Sequence, residues 1–187
     1  MIDQDKISSA VSSIIEALGE DPSREGLLDT PRRVAEMYAE FFSGIDADPA
    51  EVLATGFEEG HRELVVLRDI PFFSICEHHF LPFFGSVHVG YIPKGRVVGA
   101  SKLARALDIL ARRPQIQERL TDQLVEALNK TLEPDGVAAV ISAEHMCMSL
   151  RGVRKPGSRI ITSSARGRLK TQTADRQEFF DLLGEIR

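Results

Sequence analysis

The sequence predicts an α+β protein. We expect an antiparallel four-stranded sheet made of two strand pairs, a helix pair inserted between them, and helices ahead of them. Three observations lead there. Apolar residues recur at helical spacing up to Gly44 and switch to a period of two after Glu63. Two strand-like regions flank a pair of helical ones. No internal repeat or low-complexity tract interrupts that order.

Taken in turn, residues 4–19 carry Ile7, Val11, Ile14, Ile15 and Leu18 on one helical face, and Gly19 suits the stop. Asp21 to Gly26 is a turn-rich link. A second helix has Thr30 as N-cap and Pro31 at its first position, where a missing N–H costs nothing. Val34, Met37, Tyr38 and Phe41 form its stripe, and Gly44 ends it in the left-handed conformation. Residues 45–60 read as a link with at most a short helix over 49–54. Leu64–Ile70 reads as a strand that bends at Pro71 and continues into Phe72–Ile75. Residues 85–92 alternate, with Val87, Val89 and Tyr91 on one face and Ser86, His88, Gly90 and Ile92 on the other. The stretch between them is too long for a tight turn and reads as a functional loop.

Pro93-Lys94-Gly95 is a turn. Ser101 caps a helix bearing Leu103, Leu107 and Leu110; Pro114 interrupts it and starts another, with Ile116, Leu120, Leu124 and Leu128 along one face. Pro134-Asp135-Gly136 closes the pair. Val137–Met148 reads as a strand whose odd positions, from Val137 to His145 and Cys147, share a face. Arg151–Pro156 is a basic turn, Ser158–Ser164 the paired strand, and Thr173–Ile186 a closing helix with Phe179, Phe180, Leu182, Leu183 and Ile186. The chain divides into an N-terminal helical segment over 1–60 and a second domain over 61–187, together one structural unit.

With 187 residues the chain can bury one substantial core. A net charge of −5 gives no global reason to expect nucleic acid or a membrane surface as partner. No apolar run approaches the roughly 18–20 residues that span a bilayer. The polar, acidic start Met-Ile-Asp-Gln-Asp-Lys is no secretory signal, so the expected location is cytoplasmic. Two cysteines can form one disulfide, but a reducing compartment argues against it.

The chemistry concentrates in residues 74–93, which hold Cys76 and three of the five histidines, His78, His79 and His88. Cys147 lies far downstream beside His145. Cys76-x-x-His79 lets one loop place a thiolate and an imidazole on one ion, and Cys147 would be the third ligand. Zn²⁺ takes such S and N donors in a tetrahedral array, and three protein ligands leave a position for water. Two cysteines cannot make a closed Cys₄ or Cys₃His site from one chain, which favours an open one. Against this, a lone Cys-x-x-His has many chance matches, and buried free cysteines are commonly small hydrophobes. Spacing alone leaves the two readings balanced. His78 and His145 also read as capped or core histidines, His88 as structural and His61 as exposed.

Several segments in order resemble GTP cyclohydrolase I of the zinc-dependent type. They are Thr30–Tyr38, Cys76-Glu-His-His79, Pro82–Gly85, Tyr91–Pro93, Ser101–Arg105, Ala111–Thr121, His145–Met148 and Arg151–Val153. The resemblance covers nearly the whole chain and implies that residues 61–187 adopt the tunnelling fold. It also implies a reaction: GTP and water give 7,8-dihydroneopterin triphosphate and formate, the first step of pterin and tetrahydrofolate biosynthesis. The assembly it implies is a homo-oligomer, a toroidal decamer with sites between subunits, without nucleic acid or membrane.

The family's pattern makes Cys76, His79 and Cys147 the Zn²⁺ ligands. It implies attack of zinc-activated water at C8 of guanine, with His145 and His78 as proton carriers whose assignments are interchangeable. Ser101 matches a position near the ribose. Glu118, assisted by Gln117, would read the guanine N1–H and 2-amino group, a donor pair that adenine lacks. Lys102, Arg105, Arg151 and Arg33 match anion-binding positions suited to the triphosphate. For Arg112, Arg113, Arg154, Lys155, Arg159, Arg166 and Arg168 we expect surface or subunit contacts. Two departures stand out: Glu36, where some members carry a phosphate-binding lysine, and Ala100, where a larger apolar residue is usual. The rivals are a nitrile reductase of the queuosine pathway with the same fold, which uses NADPH and a catalytic cysteine, and a non-catalytic zinc-stabilised oligomeric module.

Overall fold

The computed structural model describes residues 2–184. Helix α1 (Gln4–Ala17) starts at Asp3, whose carboxylate accepts from Lys6 N. It ends at Gly19, which takes a φ of +82° as expected. Its apolar stripe is only partly covered: Ile15 is buried, whereas Ile14 and Leu18 stay exposed. Helix α2 (Thr30–Phe41) has Asp29 rather than Thr30 as its N-cap, with no side-chain cap bond. Glu36 is held by Arg32 at 2.8 Å on its outer surface.

Gly44 is not left-handed. It is needed because a Cβ there would run into the Ile109 carbonyl, where the chain crosses helix α4 (Ala100–Ala111). Arg113 fixes the same crossing, donating from Nε to Gly44 O at 2.8 Å and from Nη2 to Ala47 O at 2.6 Å. The short helix α3 (Pro49–Leu53) is where the link allowed for it. The rest of that link holds a strand the sequence reading missed: β1 (Gly56–His61) pairs with β4 (Gly95–Val98) as a two-stranded ribbon. Its pattern Gly-Phe-Glu-Glu-Gly-His has no apolar alternation to betray it.

The main sheet has the order β5-β2-β3-β6-β7, with β2 (Val65–Cys76), β3 (Pro82–Ile92), β6 (Gly136–His145) and β7 (Arg159–Gly167) antiparallel. These four strands are the two expected pairs. Between them in sequence lie α4 and α5 (Gln117–Leu132), the expected helix pair. A two-residue strand, β5 (Pro114–Gln115), adds to β2 in parallel, so Pro114 ends α4 but does not start α5. Ser101 lies inside α4, whose N-cap is Gly99. The bend in β2 falls at a bulge rather than at Pro71. Arg68 and Asp69 together oppose His88, Asp69 has a φ of +58°, and its N–H donates to His88 Nδ1 at 3.2 Å.

One sheet face, with Val87, Val89, Tyr91, Ala139 and Ile141, packs on Leu103, Leu107 and Leu110 of α4 and on Leu120, Leu124 and Leu128 of α5. The other face is covered at one end. There Ile92, Ala138 and Val140 meet Leu169 of α7 (Arg168–Thr171) with Phe179 and Leu183 of α8 (Thr173–Leu183). Ile186, assigned to the closing helix, lies outside the described residues. Among the described residues, no helix is long and apolar enough to cross a membrane.

The Phe179 ring sits where a side chain on Gly90 would be: a Cβ there would meet it at 2.6 and 2.7 Å. Gly90→Ala should therefore destabilise the protein by about 2 kcal/mol, by overpacking. Adding Phe179→Leu should recover part of that loss, because the two sites share one volume. Urea unfolding of both single variants and the double variant measures this; strictly additive losses would count against the contact.

Candidate metal centre and active site

The loop between β2 and β3 closes tightly. Cys76 N donates to Leu81 O and Phe80 N to Cys76 O, both at 2.9 Å. Phe80 takes a φ of +53°, a conformation that costs a residue with a Cβ. Its ring is held edge-on by two aromatics of the α2 region, Tyr38 at 6.2 Å and Phe42 at 5.7 Å. On the other side Glu77 N donates to Gln115 O at 2.9 Å, and the Glu77 carboxylate takes both arms of Arg119 at 2.6 and 2.9 Å. Braced in this way, the loop leaves His78 and His79 exposed and Cys76 buried.

Cys147 arrives differently from the expectation. Strand β6 ends at His145, and Cys147 sits in α6 (Met146–Ser149), a single helical turn. The shared strand face of His145 and Cys147 therefore does not exist. The turn starts because the ladder partners run out, the last β3–β6 pair being Phe83 with His145. The outcome nevertheless brings the donors together: ligand atoms of Cys76, His79 and Cys147 lie within 4.8 Å of one another, a group that could hold a metal ion.

The donor chemistry fits such an ion. Nε2 of His79 lies 3.2 Å from Arg151 Nη1. A guanidinium has only hydrogens to give, so this nitrogen is the acceptor, and an ion taking its lone pair would displace the arginine from it. Burial, and then the neighbouring Cys76, pushes the Cys147 thiol up. A cation between two sulfurs would reverse that and release their protons.

His145 is buried and stacked on Phe83, with ring centroids 4.6 Å apart. Burial pushes its pKa down, and the charge of Glu118 opposes this. Gln117 is 1% exposed and its amide is fully engaged. Its Nε2 donates to Ile141 O, Ile160 O and Thr162 Oγ1 at 3.1, 2.9 and 3.1 Å. With the NH₂ so committed, Oε1 must accept from His145 Nε2 at 2.8 Å. Neutral His145 is thereby fixed as the Nε2–H tautomer, with Nδ1 left as its acceptor. Glu118, the next residue of α5, is exposed.

The remaining residues are not gathered here. Ser74 Oγ donates to Ala111 O at 2.6 Å, so the C-terminal end of α4 lies near the cysteine end of β2. Ser101 is ten residues back along α4, about 15 Å at 1.5 Å per residue. Ser101 and Lys102 thus occupy the end of α4 remote from Cys76, and exposed Arg105 lies between. Arg33, also exposed, pairs with Asp29 on α2 at 3.2 Å. His88 lies on the far sheet face and is fully buried. Sequence reasoning missed Glu77, Phe80, Phe83 and Arg119 as parts of this region. Glu77, Phe80 and Arg119 each adjoin a singled-out residue in the sequence, and for Glu77 and Arg119 the signal was the opposite charge of the Cys-Glu-His-His and Gln-Glu-Arg segments.

Three convergent donors with an exposed flank define an enzyme-type site, one that can hold a metal ion and still admit a substrate. Comparison with known proteins gives that class its family. The chain belongs to the GTP cyclohydrolase I family, whose model matches residues 7–184. It is 59% identical over 185 residues to GTP cyclohydrolase 1 of Dehalococcoides mccartyi, covering 98% of each chain. The corresponding protein of Halalkalibacterium halodurans is 58% identical over 183 residues, covering 97% of each, and that of Streptococcus thermophilus 54% over 187, covering all of both. A solved structure, the archaeosine synthase QueF-Like in the apo form, aligns with 56% of this chain and 93% of its own, at 20% identity and a TM-score of 0.43. Family membership favours the cyclohydrolase over the nitrile reductase.

Phe80 offers a direct test of the loop. Phe80→Ala loses the aromatic contacts and keeps the unfavourable φ; Phe80→Gly loses the same contacts and relieves it. The glycine variant should be the more stable by about 1 kcal/mol in chemical unfolding.

Proposed function

We propose that this protein converts GTP and water to 7,8-dihydroneopterin triphosphate and formate, with Zn²⁺ held by Cys76, His79 and Cys147. The product would enter pterin and tetrahydrofolate biosynthesis in the cytoplasm. The observation that carries this reading is the convergence of three metal donors with a buried, tautomer-fixed histidine and an exposed carboxylate beside it. Zinc would supply Lewis-acid activation of the water that opens the imidazole ring of guanine.

The chain's own groups do the rest. The Glu118 carboxylate accepts from guanine N1–H and the 2-amino group, which holds the base and rejects adenine. His145, with Nε2–H committed to Gln117, presents Nδ1 as the ring atom that first takes up a proton and then, as the imidazolium, hands it to N7; protonation of N7 makes C8 electrophilic. Gln117 acts in this scheme by holding His145. His78, exposed next to His79, carries the second proton, and the two histidine roles are interchangeable. Arg151, which lies against His79, would contact an anionic group of the substrate, the triphosphate.

Ser101, Lys102 and Arg105 fit the same reaction if a neighbouring chain supplies them. Strand β7 forms one edge of the main sheet and β2, beyond the two residues of β5, the other. Pairing of β7 with the β2 of another copy would continue the sheet into a ring, and the toroidal decamer is the assembly we propose. Arg33 belongs to the same anion-binding set. The N-terminal segment 1–60 and the domain 61–187 act as one unit, supported by the Gly44–Arg113 crossing.

Purified protein given GTP should release formate and a pterin that fluoresces after oxidation, and a chelator should abolish both. Metal analysis should find about one zinc per chain. Cys147→Ala should lose the metal. His145→Ala should keep it and lose turnover by about 100-fold or more. If His145→Ala emptied the site instead, the ligand set would be wrong. Glu118→Gln should weaken GTP binding by about 10-fold or more, and unchanged affinity would remove it from base recognition.

A further inference from the structure

Glu77 and Arg119 take no part in the chemistry just described, yet they join its two halves. Glu77 lies between Cys76 and His78-His79, and Arg119 follows Glu118 directly. Arg119 Nη1 donates to Glu77 Oε2 at 2.6 Å and Nη2 to Oε1 at 2.9 Å, the two-pronged geometry that fixes orientation as well as distance. The backbone repeats the connection, Glu77 N donating to Gln115 O at 2.9 Å. The side chains are 39% and 32% exposed, and a pair so open to water adds little to folding. Stability is a weak reason for it.

We propose that Glu77–Arg119 is a positioning pair that sets the span between the metal ligands and the base-reading carboxylate Glu118. This inference rests on the reading above. In that reading the purine is gripped at its pyrimidine end by Glu118, while the carbon to be attacked lies at the other end, over the metal. The two ends of the base are thus held by two segments of chain, the loop after β2 and the first turn of α5. A misplacement of about 1 Å between them is enough to cost about 100-fold in rate while leaving the grip on the base intact. The guanidinium fork removes that freedom; a lysine, with one point charge on a flexible stem, cannot.

The test compares zinc-loaded wild type with Arg119→Lys, Glu77→Gln and the double variant, each assayed well below its melting temperature. We expect each single variant to retain one zinc per chain, to keep KM for GTP within about threefold, and to lose kcat by about 10- to 100-fold. The double variant should be no worse than the poorer single one, because both remove the same link. Unchanged kcat with only a lowered melting temperature would overturn the proposal, as would loss of zinc, a rise in KM alone, or failure of both single variants to fold. A wild type that releases no formate would sink the underlying reading; a wild type that does, matched by Arg119→Lys, would sink this inference alone.

Discussion

The register of β3 between its neighbours is the constraint on which the site depends. Ser74 pairs with Phe83, and Phe83 pairs with His145, so one row across three strands ends the sheet beside the donors. Cys76 lies two residues beyond that row on β2, and Cys147 two residues beyond it in the helical turn that follows β6. A slip of two residues between β3 and β6 would keep every side chain on its proper face and still carry His145 and Cys147 about 7 Å along the strand. The donors would then separate. Faces alone do not protect the site; the pairing must be unique.

That uniqueness has visible sources. A bulge at Arg68-Asp69 locks β2 against His88, since no other residue of β3 has an imidazole nitrogen to receive the Asp69 N–H. Gly85 faces Ala143, where a Cβ would enter the Ser142 carbonyl, so the approach of β3 to β6 at the metal end admits no side chain. Gln117 then ties β6, β7 and α5 together by bonding Ile141, Ile160 and His145 at once. Each of these is a polar or steric match that a shifted strand would leave unsatisfied and buried.

Much of this was legible in the sequence, for reasons that also explain what was not. Strands β2 and β3 and helices α4 and α5 announced themselves because each carries apolar residues at the regular spacing of its element. The β1–β4 ribbon did not, being largely exposed, and so its sequence carries no period. Cys147 was assigned to a strand because alternation persists from Val137 through His145, while the point where a ladder runs out depends on the partner, Phe83, and not on the strand itself. Gly44 was read by local turn chemistry, but its need for a missing side chain comes from Ile109, 65 positions away. The three possible metal donors were visible as residue types; the convergence of Cys76, His79 and Cys147 required the fold. Long-range contacts between regular elements are the part that a single sequence encodes least openly.

The two outer edges of the sheet, at β7 and at β2 beyond β5, bear on how the chain avoids indiscriminate strand pairing. Strand edges offer unpaired backbone donors and acceptors to any extended segment, which makes a solitary subunit open to disordered association. Both edges are tempered. The bulge kinks β2 at a charged pair, Arg68 and Asp69, and β7 opens and nearly closes with arginines at 159 and 166. Such features discourage a flat, indiscriminate strand while leaving room for a correctly shaped one. Curvature and charge together thus set the terms on which either edge can accept a further strand.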